Sequence, residues 1–154
     1  MSSVMNEHSI LDETSNRLET ALLTPAVAGE LKGWVTNVRE AAATFSMDWT
    51  RYLHTVLHQQ YAEIAKNDPE MSNDIEKMIA TDKQLIDQFA AFSEKFRELE
   101  EHTNEVQWDE GKLAGERQRL EEAGITLIVQ IKKQRLAAET WLSEAFYRDR
   151  GVKD

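Results

Sequence analysis

Apolar residues recur in this chain every three or four positions, and only two prolines interrupt the pattern. That spacing is one face of an α-helix, and no stretch alternates with the period of two that a half-buried strand needs. Four segments carry it. The first, about 3–23, places Val4, Ile10, Leu11, Leu18, Ala21 and Leu22 on one face, and Thr24-Pro25 closes it because a residue before proline is pushed out of the helical region. The second, about 34–66, carries Trp34, Val38, Phe45, Trp49, Tyr52, Leu53, Val56, Leu57 and Ile64. Asp68-Pro69-Glu70 then reads as an N-cap, a first helical position and an acidic first turn. The third, about 69–102, has Ile75, Met78, Leu85, Phe89, Phe92, Phe96 and Leu99 as its stripe. The fourth, about 109–148, has Leu113, Leu120, Leu127, Ile131, Leu142 and Phe146. Gly124 within it costs ~1 kcal/mol against alanine and predicts a bend, and Gly151 stands where a C-cap glycine belongs. Short connections make neighbours antiparallel, so the expected fold is all-α: one domain over 1–154, an antiparallel up-down four-helix bundle.

Composition narrows the function classes. The chain has no cysteine, which removes thiolate metal sites, disulfides and cysteine catalysis. It holds 28 Asp and Glu against 18 Lys and Arg, a formal charge of −10 that repels nucleic-acid backbones and anionic lipid. The N-terminal stretch lacks the basic and apolar regions of a signal peptide, and the apolar cluster Ile125–Val129 is far too short to cross a bilayer. The expectation is a cytoplasmic protein with no nucleic-acid or membrane partner. A Ser/His/Asp arrangement, a Gly-rich phosphate loop and a His-Glu-x-x-His motif are all missing, so the sequence gives no ground for an enzyme.

Polar residues on the apolar stripes are the informative ones, because burying them unpaired costs a few kcal/mol each. His8 lies one turn before Leu11. His54 and His58 share one helix face at i and i+4. Asp82 sits between Met78 and Leu85, and Gln134, Arg135 and Glu139 interrupt the fourth stripe. Counting residues from the turns compares their heights. His54 is 13 residues before Asn67, and Asp82 is 13 after Pro69, so at ~1.5 Å per residue both lie about 20 Å from that turn. Asp82 and Gln134 match similarly about the next turn, and His8 more loosely about the first. One polar layer drawn from all four helices is what a metal site in a bundle core needs, and imidazole with carboxylate suits iron, manganese or zinc. Each residue has an ordinary reading too: His8 and the His54/His58 pair as surface groups, Asp82 as the partner of a lysine or arginine, and Glu139 as a solvated helix residue. His102, among the glutamates that end the third helix, complements its negative end.

The layer resembles that of the hemerythrin, or histidine–histidine–glutamate cation-binding, family. Glu7-His8-Ser-Ile-Leu11 is similar to its first-helix signature. His54-x3-His58 matches the second, with His58 where the family has a bridging glutamate. Thr81-Asp82-Lys83-Gln-Leu85 stands for the third, with Asp82 for a histidine, and Gln134-x4-Glu139 keeps the carboxylate of the fourth and loses its histidine. The tail running to Asp154 also resembles bacterial members. The resemblance implies a four-helix bundle holding non-haem iron or another divalent metal through His8, His54, His58, Asp82 and Glu139, for sensing or storage. With three histidines and two carboxylates, against the family's five and two, it implies a mononuclear or degenerate di-iron site. Lys83 and Arg135 flank the layer and could supply the positive charge in a metal's place. A second reading therefore stands beside the first: a metal-free bundle acting as a structural or protein-interaction module, alone or as a homo-oligomer.

Overall fold

The computed structural model describes residues 2–105 and 108–153, and the side chains of 7–105 and 108–147. It is helical over 91% of the chain, without strands among the described residues. Helix α1 spans Ser2–Leu23 and α2 spans Leu31–Tyr52. A single π turn, Leu53–Leu57, joins α2 without a break to α3, His58–Asn67. A 3-10 turn at Pro69–Met71 leads into α4, Ser72–Thr103, and α5 runs from Glu110 to Lys153. No helix among the described residues is long and apolar enough to cross a membrane.

The expected stripes form one core, except that Phe146 near the end of α5 is 40% exposed. Helix α1 lies along α2, α4 packs against α2 and α5, and α1 meets α5. Leu18 and Leu22, Val35 and Val38, Phe45, Tyr61, Phe96 and Ile128 are all but sealed from solvent. Burying each such side chain stabilises the fold by ~1.5–3 kcal/mol before chain entropy is counted. A run of ring contacts, Trp49 to Phe89 to Phe92 to Phe96 to Trp34, lines the space between α2 and α4, with centroids 5.0 to 6.0 Å apart. Val4 and the tail from Arg148 to Asp154 lie outside the described side chains.

Two local expectations are corrected, and Gly124 has a packing role. Helix α5 is continuous through Gly124. A Cβ there would stand 2.8 Å from Leu22 Cδ1 and 2.9 Å from Phe92 Cζ, so glycine serves a close approach of α5 to α1 and α4. Helix α5 runs on through Gly151 rather than ending before it. Asp68 and Pro69 hold the cap and first positions as expected, yet the Asp68 side chain makes no capping hydrogen bond. The stronger cap is one the sequence hides. The Glu110 carboxylate, at the start of α5, accepts from Gly29 N at 2.7 and 2.9 Å and from Leu31 N at 3.3 Å, closing the N-terminus of α2 from 79 to 81 residues away. Gly29 makes the approach at φ 89°, a left-handed backbone that favours glycine.

Candidate functional site: a polar layer across the helices

Four of the five residues expected as ligands fall into two separate groups of side chains in contact. The first joins α1, α2 and α5. Arg135 donates from Nε to Glu139 Oε1 at 3.0 Å, one turn along α5, and from Nη1 to Asp12 Oδ1 at 2.8 Å. Its third nitrogen, Nη2, lies 3.2 Å from His8 Nδ1, which is itself 3.3 Å from Glu139 Oε1. Tyr52 completes the group by donating its hydroxyl to Glu139 Oε1 at 2.7 Å, with its ring beneath the guanidinium at 5.5 Å and edge-on to His8 at 5.1 Å.

The electrostatics follow from those contacts. Burial drives the Tyr52 phenol pKa far above its ordinary 10.0, and the Glu139 hydrogen bond and charge push the same way. Burial alone would lower the Arg135 pKa, but its hydrogen bonds to Asp12 and Glu139 raise it on balance. The guanidinium is thus a permanent cation held by two carboxylates, with three of its five N–H directions spoken for.

The second group joins α3, α4 and α5. Asp82 is 2% exposed, and burial raises its carboxyl pKa against the opposing pull of His58 and Gln134. His58 Nε2 lies 3.3 Å from Asp82 Oδ2, and the Gln134 side chain lies near enough to favour the ionised carboxyl. With Asp82 ionised, His58 must carry its proton on Nε2. The His58 ring stacks on Tyr61, whose buried hydroxyl has no hydrogen-bond partner among the described residues.

Four of the five expected ligands, His8, His58, Asp82 and Glu139, therefore sit in the layer, and His54 does not. His54 is exposed, with its ring perpendicular to that of His58 at 5.6 Å. It lies inside the π turn, whose wider winding sends Leu53, Val56 and Leu57 inward and leaves His54 and Thr55 outside. Tyr52 takes the inward place on this helix. Its position on an apolar stripe conceals it, and the only sequence signal is a hydroxyl-bearing ring on the same stretch of helix as the polar pair. Lys83 is exposed and forms no ion pair among the described residues.

As a metal site the arrangement fits poorly. No three His, Asp or Glu side chains among the described residues converge on one point that could hold an ion. The reason is visible in the first group, where a guanidinium stands against His8 and Glu139. An ion bound there would face a permanent like charge. Compared with protein families, curated proteins and solved structures, the chain matches none.

Proposed function

We propose that this chain is an antiparallel up-down four-helix bundle of hemerythrin-like design in which Arg135 supplies the cation of the core layer. On this reading it is not an enzyme; it acts as a metal-independent structural or protein-interaction module. The observation that carries the reading is the guanidinium itself, hydrogen-bonded to Glu139 and Asp12 and set against His8. Those are the side chains through which the α1 and α5 half of a metal centre would have to act. A ligand that binds only the folded state raises its stability, by about 2.7 kcal/mol at a hundred times its Kd. Thermal unfolding should therefore be unchanged by iron(II), manganese(II) or zinc(II) added in excess. A saturable rise in Tm with any of the three overturns the reading.

One observation favours a second reading. His58 and Asp82 already face one another at 3.3 Å, and His54 stands one turn away on the solvent side. A rotation of the exposed His54 side chain would add a third donor, enough for a single zinc-like ion with water in the open position. On that reading the Tm rise appears with zinc and is lost in His54→Ala, while Glu139→Gln leaves it intact.

A further inference from the structure

Between the two polar groups lies a small, partly open cavity of about 10 Å³. Its walls include Tyr52 and Arg135 from the first group, Asp82 and Gln134 from the second, and Leu53 and Leu57, the residues that begin and end the π turn. A water molecule needs about that much room and two to four polar partners. The partners are present. Asp82 uses one carboxylate oxygen on His58 and retains acceptor capacity. Tyr52 gives its proton to Glu139, which leaves the phenol oxygen free to accept. Arg135 has N–H directions beyond the three that reach Glu139, Asp12 and His8. Five of the nine lining residues are apolar, Trp49, Leu85 and Ile131 among them, so the four polar side chains are what distinguishes this space from an ordinary packing defect.

We propose that this cavity holds a single ordered water, accepting from Arg135 and donating to Asp82 and Tyr52. It joins the two groups into one hydrogen-bonded layer running from His8 on α1 to His58 on α3. The π turn makes room for it, because its wider ring separates Leu53 from Leu57 at the cavity wall. The inference rests on the reading that Arg135, and no metal, supplies the layer's cation.

A crystal structure of the full chain at high resolution tests it, with a water peak expected at hydrogen-bonding distance, ~2.6–3.2 Å, from both Asp82 and Arg135. A dry cavity, or one closed by direct contact of Asp82 with Arg135, overturns the water and leaves the function reading standing. A heavier peak at ~2.0–2.3 Å from His58 or Asp82 overturns both. Solution measurements give a second readout. Asp82→Asn and Glu139→Gln sit in different groups, so a water bridge makes their effects on the unfolding equilibrium non-additive by about threefold or more. Additive effects overturn the bridge.

Discussion

Arg135 and Glu139 stand one turn apart on α5, with Nε 3.0 Å from Oε1. An i, i+4 pair of this kind on an open helix face contributes only ~0.3–0.5 kcal/mol. This one is tied to three further side chains on α1 and α2, because Glu139 also accepts from Tyr52 while Arg135 also holds Asp12 and faces His8. The pair is half-buried, with Arg135 17% and Glu139 32% exposed.

Arg135→Met should therefore cost more than a surface pair. It strands Glu139 and Tyr52 beside an apolar side chain, and a loss of about 1–3 kcal/mol is expected, with Glu139 one-third exposed keeping it below the loss of a sealed pair. At ~2–4 °C per kcal/mol for a chain of this size, thermal unfolding resolves it. Arg135→Lys should recover only part, since an ammonium cannot reproduce the fork to Glu139 and Asp12. Equal stability of all three proteins would show that the cluster is solvated.

Asp82 gives the fold an acid-side pH dependence of definite sign. Its carboxyl pKa is higher folded than unfolded, so between the ordinary value of 3.8 and the raised one the native state binds more protons than the unfolded chain. Stability contributed here is fully present below the ordinary value and falls as pH rises through the raised one. Asp82→Asn removes this dependence, so denaturant curves should show the variant gaining on the parent as pH rises through that window. A constant difference across it would mean that Asp82 titrates alike in both states.

At the alkaline end the two buried phenols act in the same direction. Tyr52 and Tyr61 hold their protons far above the ordinary 10.0, chiefly through burial, with Glu139 adding for Tyr52 and Asp82 for Tyr61. The stability they contribute is complete below about pH 10 and is lost as pH rises beyond it. Tyr52→Phe should weaken the fold by ~1–2 kcal/mol at neutral pH through the hydrogen bond to Glu139. It should also flatten the alkaline fall in the unfolding free energy. An unchanged alkaline profile would place the Tyr52 hydroxyl in solvent.

Gly124→Ala tests the helix packing. Alanine normally gains ~1 kcal/mol over glycine in a helix interior. Here the new methyl meets Leu22 and Phe92 at under 3 Å, and overpacking of this kind costs ~1–3 kcal/mol. The net result should be no gain or a loss, and adding Leu22→Ala should be less damaging in the Gly124→Ala background than alone. A straightforward gain of about 1 kcal/mol would mean that α5 stands further from α1 than the structure has it.

The helical class was legible because one physical signal, the three-to-four spacing, carries it through 154 residues almost without interruption. The layer was legible only to within a turn. Counting from Pro69 pairs Asp82 with His54, whereas the contact is with His58. The 3-10 turn at Pro69–Met71 explains the slip, because those residues belong to the reversal and not to the helix. His58 is ten residues before Asp68 and Asp82 is ten after Ser72. Neither that turn nor the π turn leaves a mark in hydrophobic periodicity, and both shift which polar group faces inward. Arg135 was recognised as a neighbour of the layer, but only geometry places its guanidinium against His8. The Glu110 cap on α2 had no local signal, since its partners are 79 to 81 residues away.

The claim that a guanidinium supplies the cation of this layer is tested most directly by the metal content of the purified protein after growth in iron-supplemented medium. Elemental analysis should find less than about a tenth of an equivalent of iron, manganese or zinc per chain, with no absorption band between roughly 300 and 400 nm. A stoichiometric metal that survives dialysis in the parent and is lost in His8→Ala or Glu139→Gln would contradict it.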